Sequence, residues 1–74
     1  MLSYDEIEIG DVLSNPVFRN NGMNIESEYR VINKDDYKKL ICVVPTAREA
    51  TPYYTITAVW KPTSDGMFNR TWRV

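Results

Sequence analysis

Cys42 is the only thiol in this 74-residue chain, and the chain has no histidine to activate it. The thiolate, not the thiol, is the nucleophile, and apolar surroundings raise a thiol pKa. Cys42 stands in Leu40-Ile41-Cys42-Val43-Val44, so it reads as a small core hydrophobe. The missing histidine also removes the common general base near neutral pH. With one cysteine and no histidine, zinc sites of the finger or deaminase kind are excluded. Asp5, Glu6, Glu8 and Asp11 offer carboxylates to a divalent cation, but they lack the ligand spacing of a calcium loop and read as a solvated acidic turn. Asp35-Asp36 suits a turn, where aspartate is favoured for its backbone hydrogen bonds alone. Three scattered glycines make no phosphate cradle. The expectation is a chain without catalytic residues, metal or cofactor.

Binding chemistry is better represented. Tyr53, Tyr54, Trp60, Phe68 and Trp72 cluster in the last third of the chain, with Arg48, Lys61, Arg70 and Arg73 nearby. Proteins that bind single strands stack bases on aromatics, at about 1–3 kcal/mol per base, and flank them with basic groups. The competing reading is that Trp60, Phe68 and Trp72 share a face and form the core, since large aromatics supply much of the burial in a small domain. Core is the reading adopted for both tryptophans. Tyr53 and Arg73 then fall on the opposite, outer face. The net charge of −1 argues against strong nonspecific nucleic-acid binding, because that affinity scales with the phosphates neutralised.

An outward apolar patch is a third reading. Tyr53, Thr55, Thr57, Val59 and Met67 would line the outer side of a terminal hairpin. The unalternated Leu40–Val44 run suggests a strand covered on both sides, or one whose outer face meets a partner. The terminal stretch MFNRTWRV carries only Arg70 and Arg73 as charges, so its edge is open to another strand. The alternative is a two-layer sandwich in which residues 14–27 cover that face.

The elements that must position these residues read as strands. Ser3 and Glu6 fit a capping box, predicting one helical turn at residues 3–6. Ile7, Ile9, Val12 and Leu13 read as a first strand broken by a bulge or bend at Gly10-Asp11. Residues 14–27 carry Asn-Pro and Asn-Gly turn signals and read as a long loop, folded back through Val17, Phe18 and Ile25. Glu28 to Asn33 is a second strand, KDDYK a turn, and Leu40 to Val44 a third strand ended by Pro45. Residues 46–50 read as a short helical turn. From Tyr53 to Val74, period-2 alternation on both sides of Pro-Thr-Ser-Asp-Gly predicts a closing hairpin.

The bulk properties agree with one small folded domain spanning 1–74. Apolar residues make up 43% and charged residues 26%, close to ordinary globular usage. A chain this short buries only about 60% of its unfolded surface, so its core is small. Residues 1–28 hold six acidic groups against Arg19, a balance of −5, while residues 29–74 hold eight basic and four acidic groups, a balance of +4. Such asymmetry marks an acidic and a basic face unless the fold interleaves the two segments. The single cysteine excludes an internal disulfide. The acidic start is unlike a secretory signal, and no apolar run approaches the roughly 20 residues that span a membrane. A reduced, cytoplasmic setting is the expectation, in which the Asn69-Arg70-Thr71 sequon has no role.

The opening IEIGDVL, a long loop, EYRVI, a tight turn, KLICVV and a closing hairpin together resemble a small SH3-like barrel of the bacterial and phage type. This resemblance implies an all-β fold, a five-stranded barrel or rolled antiparallel sheet with a long loop after the first strand. A five-stranded OB-like barrel and a plain meander are alternatives. The chain lacks the ligand motifs of signalling domains that take proline-rich peptides. The resemblance and the small size imply an accessory protein of a phage or mobile element that binds a host protein or itself. The expected partner-binding residues are Tyr53, Tyr54, Thr57, Met67 and Arg73 with Phe18 and Met23 of the long loop. A nucleic-acid-binding barrel would instead use Tyr54, Arg48, Lys61, Arg70 and Arg73.

Overall fold

A computed structural model describes residues 1–18, 24–48 and 57–74, with the side chains of 16–18, 24–27 and 48 outside the description. The fold is all-β. Its strands are β1 (Leu2–Ser3), β2 (Val12–Phe18), β3 (Asn24–Asp35), β4 (Leu40–Pro45), β5 (Ala58–Trp60), β6 (Met67–Phe68) and β7 (Trp72–Arg73). Two 3-10 turns, Tyr4–Glu6 and Thr46–Arg48, complete the described elements. Five strands form an antiparallel sheet in the order β5-β4-β3-β2-β7, and β1 pairs separately with β6. Among the described residues the sheet does not close into a barrel.

The amino-terminal turn forms as its residues dictate. The Ser3 N–H and the Ser3 hydroxyl both donate to Glu6 Oε1 at 2.9 Å, making the capping box. These bonds, with the charge of Arg73, hold the Glu6 carboxyl below its usual range. That contribution to stability is present above the ordinary carboxylate range and is lost as pH falls through the depressed value. The bulge or bend expected at Gly10-Asp11 takes the form of a tight turn. Asp11 N–H donates to Glu8 C=O at 3.1 Å, and Glu8 N–H to Asp11 Oδ2 at 2.9 Å. Gly10 sits at φ +98°, a conformation glycine adopts at little cost. The chain is then docked on β3 through Gly10 N–H to Val31 C=O (2.8 Å) and Val31 N–H to Asp11 C=O (2.9 Å). The one β-bulge in the described ladders lies between Val31 and Asn33, and leaves Ile32 partly exposed.

Residues 14–18 and 24–27, expected in a loop, are strand. β2 and β3 pair in unbroken register from Val12↔Arg30 to Phe18↔Asn24. Asn-Pro does not end the strand. The β3–β4 turn does form in the expected place: Asp35 Oδ1 accepts the N–H groups of Tyr37 and Lys38, and Lys39 closes the turn at φ +59°.

The expected closing hairpin is absent among the described residues. Ala58–Trp60 pairs with β4, Met67–Phe68 with β1, and Trp72–Arg73 with β2. Two local features separate these pieces. Pro62 has no N–H to extend a ladder, and Thr63 pins a compact loop, its N–H donating to Met67 C=O at 2.7 Å. Then Arg70 takes φ +52° and turns the chain again. That turn inverts the alternation. Phe68 is buried before it, Thr71 is buried after it, and Trp72 and Val74 are exposed at 47% and 68%. The register sets Arg73 opposite the fully buried Leu13 and Trp72 opposite Ser14. The tryptophans therefore do not share a core face: β5 and β7 are the two outer strands of the sheet.

Tyr4, Ile7, Leu13, Val31, Ile41, Val43 and Phe68 form the core, with Leu2, Tyr29, Ala58 and Trp60 packed against it. Tyr29 and Trp60 meet edge to face, with centroids 4.8 Å apart. Val43 and Val44 are both buried although they lie on opposite faces of β4, in keeping with the unalternated sequence. Cys42 is half-buried and sits across from exposed Val59, on the face away from Ile41 and Val43. It is a rim residue of β4, not a member of the core.

Tyr4 carries the most perturbed ionisation. Its hydroxyl donates to Asp36 Oδ1 at 2.5 Å. Burial first, then this bond and the negative charges of Asp36, Asp35 and Asp5, push its pKa from 10 up to about 12. The neutral phenol is therefore favoured by folding. The associated stability is fully present below pH 10 and is lost as pH rises through about 12. A urea-unfolding series should show its midpoint dropping across that window, and Tyr4→Phe should remove most of the drop. An equal alkaline drop in the variant would assign it to the lysines instead.

Candidate interaction cleft

A cleft opens where the two outer strands end. It has a volume of about 420 Å³ and runs between Val59, Trp60 and Lys61 on one side and Asn69 and Thr71 on the other. Asn15, Pro62, Thr63 and Phe68 complete its lining. Its floor is apolar, from Trp60 and Phe68. One wall is polar and internally fixed: Thr71, 1% exposed, donates to Asn69 C=O at 2.9 Å and accepts from Asn15 Nδ2 at 3.2 Å. No buried polar side-chain atom among the described residues lacks a partner, so the wall is preorganised. Lys61 is exposed on the rim.

Beyond the rim the surface carries several lysines. Lys38, Leu40, Lys61 and Pro62 line an opening of about 470 Å³. Lys34 and Lys39 approach the Tyr4 ring to 4.2 and 5.1 Å from its centroid, cation–π contacts that add modestly to the fold. Lys34 Nζ also donates to Ile7 C=O at 2.5 Å. Four carboxylates stand in the same region: Asp35 and Asp36 bind the turn and Tyr4, Thr63 donates to Asp65, and Asp5 lies beside the Tyr4 turn. The region is thus of mixed charge, not a basic stripe.

Of the residues expected to bind a partner, the three with described side chains, Thr57, Met67 and Arg73, do not converge. Thr57 is exposed just before β5, Met67 is half-buried in the separate β1–β6 pair, and Arg73 lies on β7 at the far side of the sheet. Phe18 ends β2, its side chain outside the description; Tyr53, Tyr54 and Met23 lie outside the described residues, as does the side chain of Arg48. Arg73 is exposed as expected, but its guanidinium is already engaged. It donates to Glu6 C=O and pairs with Asp11 Oδ2 at 3.3 Å. An exposed pair of this kind is worth about 0–1 kcal/mol, but it joins the acidic start of the chain to its basic end. Among the described residues, Lys61 is the one member of the nucleic-acid set that lines the cleft. Asn15, Trp60, Phe68 and Thr71 belong to the cleft and were assigned to loop, core or outer face from sequence. Thr71 could have been found by asking why a polar residue stands between two strand pieces.

Among the described residues, no helix is long and apolar enough to cross a membrane, and no group of three acidic or cysteine side chains is placed to hold a metal ion. Comparison with protein-family models, with curated proteins and with solved structures finds no match for this chain.

Proposed function

We propose that this chain is a non-enzymatic interaction module whose partner is another protein, either a host protein or a second copy of itself. A small accessory protein of a phage or mobile element is the setting that suits it. The observation that carries this reading is the unclosed sheet. Among the described residues β5 and β7 are both outer strands, and Val59, Trp72 and Val74 beside them are 60%, 47% and 68% exposed. Unpaired strand edges and exposed apolar side chains are a liability that small proteins normally cover or charge. A partner that covers them removes the liability. The order of the sheet, with the last strand returning beside the first strand of a meander, supports a roll of SH3-like type. The engagement of Arg73 with Asp11 supports a protein partner over a nucleic acid.

The test is affinity capture of the tagged protein from a lysate of its host, split into nuclease-treated and untreated halves, with light scattering of the purified protein across a concentration series. A protein recovered equally from both halves, or a concentration-dependent dimer, is the expected result. Recovery of nucleic acid, or of proteins that vanish after nuclease treatment, overturns the reading.

A further inference from the structure

We propose that β7 is a displaceable strap seated in a strand-binding position on β2, and that an extended partner segment carrying an arginine or lysine takes its place. The inference rests on the interaction reading above and assigns it a site. That the position accepts a strand is shown by β7 itself. Trp72 pairs with Ser14, Arg73 pairs with Leu13, and the Val74 N–H donates to the Val12 C=O at 2.9 Å. Yet the strap is lightly held. It is two residues long against seven in β2. Trp72, Arg73 and Val74 are all exposed, so the strap gives up no buried side chain on leaving. Local opening costs least where few apolar contacts are lost. Thr71 stays behind as the anchor, 1% exposed and bonded to Asn15 and to the Asn69 C=O.

The position it leaves stays built. β2 is paired with β3 along its whole length, from Val12↔Arg30 to Phe18↔Asn24. Asp11 is fixed without the strap: its Oδ2 accepts the Glu8 N–H at 2.9 Å, and its C=O accepts the Val31 N–H at 2.9 Å. What the strap brings to this frame is a cation. Arg73 donates through Nε and Nη2 to Asp11 Oδ2, at 3.4 and 3.3 Å, and through Nη2 to the Glu6 C=O. Once Arg73 leaves, a carboxylate and a backbone carbonyl face the vacated place, in a stretch that also carries Asp5, Glu6 and Glu8. Charge then selects a basic segment, and the β2 backbone selects an extended one. This is strand addition, in which main-chain bonds supply affinity and side chains supply specificity. These carboxylates repel a nucleic acid. A second copy's β7 offers only the bonds that β7 already makes, so exchange gains it nothing.

The experiment compares the full chain with its Arg73→Glu variant, which sets a like charge against Asp11 and frees the strap. Hydrogen exchange followed by NMR reads the opening. The Val74 N–H should exchange about a hundredfold faster than the Val31 N–H, since a lightly held strand opens far below the global free energy. Arg73→Glu should speed Val74 by about fivefold more and leave Val31 and the urea midpoint nearly unchanged. Both proteins then serve as bait for a displayed library of random linear dodecapeptides. Arg73→Glu should select peptides with a fixed arginine or lysine. It should bind them about fivefold more tightly than the wild-type chain, whose own strap competes. Replacing that basic residue by glutamate should weaken the peptides about tenfold, the loss of a charged hydrogen bond. Equal protection of Val74 and Val31 overturns the inference, as do a library without binders and peptides that bind both proteins alike. A fall in urea midpoint for Arg73→Glu as large as that of a core truncation overturns it too, because β7 would then belong to the core. If the affinity capture recovers the same protein in equal amount with wild type and Arg73→Glu, the interaction reading stands and the strap is not its gate.

Discussion

Ile41→Ala should destabilise this domain by about 4–5 kcal/mol, the upper part of the range for truncating a buried aliphatic side chain. Ile41 is fully buried in β4, one strand in from the edge of the five-stranded sheet. It is set between Lys34 of β3 and Trp60 of β5, with the core cluster over it. The removed atoms leave a void that ladders on both sides prevent from collapsing, and part of the loss is this cavity term. A domain of 74 residues has roughly 4–11 kcal/mol of stability in total. The variant should therefore be largely unfolded at 37 °C or close to it. Urea unfolding followed by circular dichroism gives the difference directly. A loss below about 1.5 kcal/mol would mean that Ile41 is not enclosed as described.

Phe68→Ala removes more atoms but should cost less, about 3 kcal/mol, the lower end for a buried phenylalanine. Phe68 is 2% exposed, yet it also lines the cleft between β5 and β7. Truncation there opens the floor of a cleft that already meets solvent and has Asn15, Thr71 and Thr63 close by. Water with polar partners can fill such a space, which a closed apolar void does not allow. The ranking is the decisive feature. If Phe68→Ala proves costlier than Ile41→Ala, the cleft is sealed in solution.

The elements legible in the sequence were those set by strictly local chemistry. Ser3 with Glu6 foretold the capping box, KDDYK the β3–β4 turn, and the unalternated Leu40–Val44 a strand. Pairing was not legible. Alternation in Ala58–Trp60 and Trp72–Arg73 reports strand character but is blind to which neighbour each strand finds. The phase of the last strand was misread for one reason. Arg70 adopts a left-handed conformation that few residues other than glycine and asparagine signal, and one such residue exchanges the two faces of everything after it. Trp72 was thereby placed in the core, whereas the fold leaves it 47% exposed. A local turn signal also misled at Asn15-Pro16: the proline is tolerated within β2, where only a turn was expected. The cleft was illegible because its residues come from separate elements that only the sheet order brings together.

The β1–β6 and β2–β7 pairings carry a consequence for how the chain reaches its native state. Leu2 faces Phe68 and Leu13 faces Arg73, so each joins opposite ends of the polypeptide. The hairpin of β2 with β3 is local and can form early, but it buries little until Phe68 and the strand after it arrive. Long loops must close before those contacts stabilise anything, which places such topologies among the slow folders, in milliseconds to seconds. On a ribosome the core cannot assemble until Phe68 has cleared the exit tunnel. Until then the nascent chain presents an unpaired β2 edge and an open apolar face, the species that chaperones bind and that aggregates when they do not.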